Sequence, residues 1–251
     1  MVPLALKATA MPKREREAAS ASARPPVAPP TTPNAAVSAT RPAKEPKLIV
    51  ILERACLETG KVGADYALLN SDDHANFLRK HKKTPADYRP DILHQAMLIL
   101  LDSPLNKAGL LKLFVRSEKG VLIAVSPQIR LPRTFKRFCG LMTQLLFKLS
   151  IRASNGPHKL LKVIKNPVTD HLPAGSRIVA LSFTGKLVSL PEFVPKLPTS
   201  ALPVFVVGAM AHGKVDETYA EQLIAISEYP LSAAAALGRL CSAFENHLGI
   251  L

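Results

Sequence analysis

The run from Pro203 to Gly213, P-V-F-V-V-G-A-M-A-H-G, constrains this chain more than any other stretch. Val204, Val206 and Val207 are β-branched and apolar, which predicts a buried strand stopped by Gly208. Gly208 and Gly213 then bracket a short loop where the backbone can turn sharply or approach a ligand closely. A strand that delivers a glycine loop at its carboxyl end is how α/β folds usually present nucleotide-like ligands. With Lys214 the loop nearly spells the phosphate pattern G-x-x-x-x-G-K-[ST], but Val215 stands where the hydroxyl belongs. A magnesium ion accompanying a triphosphate would find no side-chain ligand there, and His212 is bulky for a phosphate cradle. An ordinary tight turn between two glycines is the plainer alternative.

Strands and helices alternate through the rest of the chain, which argues for an α/β fold. Leu48–Leu52, Leu110–Arg116, Val121–Val125, Leu160–Ile164, Ile178–Phe183 and Val204–Val207 read as strands, and Leu223–Ser227 is ambiguous. A helix is expected from Ser71 towards Lys83. A second has Pro90 in its first turn, runs to Asp102 and is stopped by Ser103-Pro104. A third starts at Thr134, with Phe135, Phe138, Met142, Leu145, Leu146 and Leu149 spaced three and four apart on one stripe. An alanine-rich helix over Ser232–His247 closes the chain.

The first 46 residues are different material, with nine prolines, seven Lys/Arg and three Glu. Such a segment cannot bury enough apolar surface to offset its ordering entropy, so Met1–Pro46 reads as a disordered Pro/Ala-rich basic tail. One domain is expected over residues 47–251. No run approaches the ~18 uninterrupted apolar residues of a membrane span. Cys56, Cys139 and Cys241 form no C-x-x-C pair and the histidines show no ligand spacing, so neither a metal nor a disulfide framework is expected.

The net charge is +14, and residues 119–169 hold ten Lys/Arg with no acidic residue. A solvated surface would normally intersperse acids. Concentrated positive charge favours a polyanion through phosphate contacts and counterion release.

Four stretches then carry a resemblance. They are the Val204–Val215 loop with I-S-E-Y-P-L-S-A at residues 226–233; R-P-D-I-L-H-Q at 89–95 leading into L-D-S-P-L-N-K-A-G-L at 101–110; P-Q-I-R-L-P-R-T-F-K-R-F-C-G-L-M at 127–142; and G-P-H-K-L-L-K-V-I-K-N-P at 156–167. Together they resemble the SPOUT-superfamily pseudouridine N1-methyltransferases of small-subunit ribosomal RNA, over essentially everything beyond the tail. Ser71 stands where such proteins often have cysteine, and Met210 where many have phenylalanine.

The resemblance implies a C-terminal trefoil knot, a homodimer and S-adenosyl-L-methionine as cofactor. It implies a role in small-subunit biogenesis beside other assembly factors, in the nucleus and nucleolus. It places Leu181, Gly208, Gly213, Ile226, Ser227, Glu228, Tyr229, Pro230 and Leu231 around the cofactor. Arg89, Arg130, Arg133 and Arg137 match RNA-contacting positions. Since methyl transfer needs alignment more than side-chain chemistry, the catalytic candidates are few: Arg89 to stabilise an anionic base, and Asp91 to orient it or to act as a base. Asp91 could equally serve only to favour the first turn of its helix. A non-catalytic RNA-binding assembly factor is the alternative function.

Overall fold

The computed structural model describes residues 45–250, apart from 155, 214 and 216–218. The expected tail lies almost entirely outside the described residues. Ten strands and six α-helices follow in the order β1 (Leu48–Ala55), β2 (Thr59–Val62), β3 (Asp65–Leu68), α1 (Ala75–Lys80), α2 (Pro90–Asp102), α3 (Pro104–Lys107), β4 (Leu111–Ser117), β5 (Leu122–Val125), α4 (Phe135–Lys148), β6 (Ser150–Arg152), β7 (Lys159–Ile164), β8 (Arg177–Leu187), α5 (Leu190–Phe193), β9 (Pro203–Gly208), β10 (Gln222–Ala225) and α6 (Ala233–Leu248).

Eight strands form one mixed sheet in the order β10-β8-β9-β1-β4-β5-β7-β6. Neighbours from β10 to β4 are parallel, and those from β4 to β6 are antiparallel. β1 lies at the centre of the parallel part, between β4 and β9, and Leu48 to Leu52 are fully buried. That explains its unbroken apolar run, since a parallel strand covered on both faces has no solvent side to alternate with.

The two faces of the sheet are covered differently. One cluster takes the inward side chains of α2, α4 and α6, among them Leu93, Met97, Phe138, Met142, Leu237 and Phe244. The other gathers Ile49, Ile51, Val204 and Val206 under Val168 and Val215, with Met210, Tyr219 and Ala220 packed against it. None of its members belongs to an α-helix. Val215, Tyr219 and Ala220, which follow the glycine loop in the chain, therefore help to roof a second core.

α2 occupies the expected span, because Pro90 sits at its first position and Ser103 ends it. Ser103 then caps α3: its Oγ accepts from Asn106 N at 3.1 Å and donates to Leu100 O at 2.7 Å. α1 starts later than the Ser71 expected from the sequence. The Asn70 side chain accepts from the N–H groups of Asp72 (3.1 Å) and Asp73 (2.8 Å), which holds that segment in a turn. The ambiguous stretch near Leu223 forms β10. The hairpin β2–β3, the short edge strand β6, α5 and the extension of β8 to Leu187 were not expected.

Candidate functional site

β9 runs beside β1, with Glu53 opposite Gly208, so both strands end at the base of the same loop. Ala209 N donates to Glu53 O at 2.8 Å. The Glu53 carboxylate is buried, accepts from the Tyr219 hydroxyl at 2.5 Å and faces Arg116 Nη1 at 3.6 Å. The loop is thus tied to the sheet at both its beginning and its far side. Gly213 has φ +104, and a Cβ there would stand 2.6 Å from Arg54 Nη1. Only glycine meets both conditions without strain. Arg54 is held in turn by two bonds to Glu118, at 2.8 and 3.0 Å.

A cavity of about 850 Å³ opens beside this loop, within the range of small-molecule sites. Three separate stretches wall it: Leu181–Thr184 on β8, Val207–Gly213, and Ile224–Ala234 running from β10 into α6. Of the cofactor residues expected from the sequence, Leu181, Gly208, Gly213, Ile226, Ser227, Tyr229, Pro230 and Leu231 all line it. Glu228 is exposed in the same turn and is not part of the lining. Lys214 lies outside the described residues.

Ser182, Phe183 and Thr184 belong to the wall but escaped the sequence reading. Their position depends on Gly185, where an added Cβ would come within 2.5 Å of the Ile224 backbone. β8 and β10 approach so closely there that their register shifts between Leu223 and Ile224. A glycine four residues after Leu181 was the available signal.

Arg89 stands on the remaining wall, at the start of α2. Its Nε and Nη2 donate to the two Asp91 oxygens at 2.8 and 2.6 Å, a fork that fixes the plane of the guanidinium. The bond from Arg89 holds the Asp91 carboxyl below the usual carboxylate range. Asp91 itself is absent from the lining. Such a carboxylate is a weak base and a good orienter. The segment before Arg89 is anchored by Glu58, which accepts from Tyr88 Oη at 2.9 Å and pairs with Lys83. Burial works against it, yet the bonds from Lys83 and Tyr88 keep the Glu58 carboxyl below its ordinary value. A second cavity of about 500 Å³, lined by Glu58, Lys83 and Tyr88, shares the Met210–Gly213 turn as a wall.

Arg130, Arg133 and Arg137 do not line the main cavity. They lie exposed before and within the first turn of α4. That segment is pinned to α2, because His94 Nε2 lies 2.8 Å from Pro132 O and the His94 ring stacks on Phe138 at 4.5 Å. Arg133 Nη1 meets Asp102 Oδ2 at 2.5 Å while remaining 74% exposed. Burial pushes the thiols of Cys56 and Cys139 up to about 11 and that of Cys241 up to about 12, so all three stay protonated and are poor nucleophiles at neutral pH. No three His, Cys, Asp or Glu among the described residues are grouped to hold a metal ion.

No carboxylate lines the cavity among the described residues, and Arg89 is its one guanidinium. Two backbone turns closing on such a space, at the carboxyl end of a parallel sheet, define an α/β protein that seats a nucleoside-sized ligand. The chain belongs to the EMG1/NEP1 methyltransferase family, whose model matches residues 50–245. It is 55% identical over 205 residues to the ribosomal RNA small subunit methyltransferase NEP1 of Homo sapiens, covering 82% of this chain and 83% of that protein. The corresponding protein of Mus musculus is 54% identical over the same shares. Among solved structures, Archaeoglobus fulgidus Nep1 bound to S-adenosylhomocysteine superposes with a TM-score of 0.66 at 22% identity, covering 80% of this chain and 98% of that one. At that identity the likeness speaks for the fold alone.

Proposed function

We propose that this protein transfers a methyl group from S-adenosylmethionine to N1 of a pseudouridine in small-subunit ribosomal RNA, during assembly of that subunit. The observation that carries the reading is the convergence of Leu181, Gly208, Gly213 and the Ile226–Leu231 turn on one cavity that Arg89 closes from the other side. The lining suits the cofactor: it is mostly apolar and backbone-rich, large enough for a nucleoside with a short side chain, and Gly213 brings no Cβ into it.

S-adenosylmethionine brings an already activated methyl group on a sulfonium. The protein's task is then alignment. The two turns would grip the adenosine through backbone groups. Arg89, fixed by Asp91, would stabilise the negative charge that develops as the base loses its N1 proton. That proton would go to water at the cavity mouth, since no carboxylate lines the wall among the described residues. Arg130, Arg133 and Arg137 would hold the RNA phosphates around the extruded base.

The finer features of the reading are a trefoil knot at the C-terminus, a homodimer with the cofactor near the interface, other assembly factors as partners and residence in the nucleolus. Exposed Phe183 and Tyr229 at the cavity mouth support a covering subunit, because large apolar side chains at a ligand site gain from being closed over.

Two measurements test the reading. Titration calorimetry should show S-adenosylmethionine binding, and Gly213→Ala should weaken it roughly thirtyfold through about 2 kcal/mol of backbone strain. Methyl transfer should occur on RNA carrying pseudouridine and not on the same RNA carrying uridine, whose N1 is the glycosidic atom. Equal transfer to both would overturn the N1 assignment. No cofactor binding would leave an RNA-binding assembly factor.

A further inference from the structure

Residues 119–169 hold ten cations and no acid, yet the site described above uses only Arg130, Arg133 and Arg137 of them. A second group gathers at the opposite end of α4. Lys148 closes that helix, Arg152 on β6 is the register partner of Lys159 on β7, and Lys162 pairs with Ser150 on the same two strands. All four are exposed, and none takes part in an ion pair among the described residues. Like charges directly opposite on paired strands are destabilising, and no acidic partner among the described residues relieves them.

The surface between the two groups is equally telling. Arg137 and Lys148 are eleven positions apart on α4, hence on the same side of the helix and about 16 Å apart along it. Gly140 lies exposed between them, and no atom stands within 4 Å of an added Cβ. Glycine inside a helix costs about 1 kcal/mol relative to alanine, and no contact among the described residues requires it here. Beside Lys148, Tyr66 and Phe147 meet edge to face at 5.0 Å while remaining 56% and 55% exposed.

We infer that the RNA continues along the outer side of α4, past Gly140, to a second phosphate-contacting group formed by Lys148, Arg152, Lys159 and Lys162, where the Tyr66–Phe147 pair is a stacking platform for an unpaired base. The inference rests on the ribosomal RNA reading and extends its footprint beyond the modified nucleotide. Cations without acids select a polyanion, and exposed rings among lysines suit bases, which stack regardless of sequence. The smooth strip at Gly140 lets the sugar-phosphate chain lie close to the helix.

The test uses the full chain and two RNAs: a hairpin with one pseudouridine in its loop, and the same hairpin with single-stranded extensions. The variant carries Lys148→Gln, Arg152→Gln and Lys159→Gln. On the extended RNA, its slope of log affinity against log salt should shrink by about 2, at ~0.7 per lost phosphate contact. Its affinity for the short hairpin and its methylation rate on that hairpin should match those of the unaltered protein. Phe147→Ala should lose roughly tenfold in affinity for the extended RNA with the salt slope retained. Unchanged S-adenosylmethionine affinity checks the fold of both variants. An unchanged slope on the extended RNA overturns the inference and leaves the edge to an acidic protein. Equal loss on the short hairpin overturns it too, since the effect would then be one of overall charge. Failure of the unaltered protein to bind either RNA removes the ribosomal RNA reading itself, and is seen before any variant is made.

Discussion

The parallel and antiparallel halves of the sheet offer surfaces of opposite kinds. Around β8, β9 and β10 the walls are mostly apolar and built on backbone turns, with Arg89 the one guanidinium in the lining among the described residues. Around β5, β6 and β7 and the adjoining α4, the backbone is regular and the information is in charge: an acid-free stretch displays its cations on the outside. A small nucleoside ligand presents edges and a ring that turns can wrap. A polyanion presents phosphates that need only well-spaced positive groups. On the proposed function the two tasks are separated along one sheet, and β4, parallel on one side and antiparallel on the other, is the seam.

The contrast can be broken most forcefully at Gly185. An alanine there would collide with the Ile224 backbone, and overpacking against atoms that cannot turn aside should cost about 3 kcal/mol. Thermal unfolding and cofactor calorimetry should fall together, while RNA binding measured well below the new midpoint should be retained. Parallel loss of RNA affinity would mean that the halves are not separable.

A smaller effect is expected at the one residue pair that faces both tasks. Asp91→Asn should lower methylation roughly tenfold, about 1.4 kcal/mol in the transition state, with cofactor affinity unchanged. Because Arg89 lowers the Asp91 pKa, the stabilisation from this pair is complete above the ordinary 3.8 and is lost only as pH falls through the lowered value. The pair is partly exposed, so its loss should change stability by about 1 kcal/mol or less. In the unaltered protein, the pH–rate profile should carry no inflection from Asp91 near neutrality. An inflection there that disappears in the asparagine variant would return Asp91 to the role of base.

The smallest effect has the opposite sign. Gly140→Ala should raise stability by about 0.5–1 kcal/mol, seen as a higher midpoint in chemical denaturation. Any accompanying loss of affinity would register only with the extended RNA.

What could be read from the sequence was what is decided locally. Pro90 and Ser103-Pro104 delimit α2 by their own backbone constraints, and the strand at Val204 declares itself by β-branching. The residues that line the main cavity were legible only through resemblance to a family, because Leu181, Gly208 and Tyr229 have no chemistry of their own to announce. The β8 wall stayed hidden because Gly185 is required by a strand nearly forty residues later in the chain. The late start of α1 was missed for a related reason, since the Asn70 side chain offers its neighbours a competing turn. The hairpin β2–β3 has only four residues in each strand, too few to show a periodicity.

Met210 and Val215 line the cavity and also roof the core beneath it, which no α-helix enters. Loosening that roof would expose Ile49, Ile51, Val204 and Val206 to water, so the protein cannot unlatch its pocket without giving up part of its own cohesion. Occupancy and durability become one quantity: ligand at a hundred times its dissociation constant should add about 2.7 kcal/mol of resistance to unfolding. Melting curves recorded across a cofactor series would then double as a binding isotherm, and starvation for methyl donor would be felt by this molecule first as fragility.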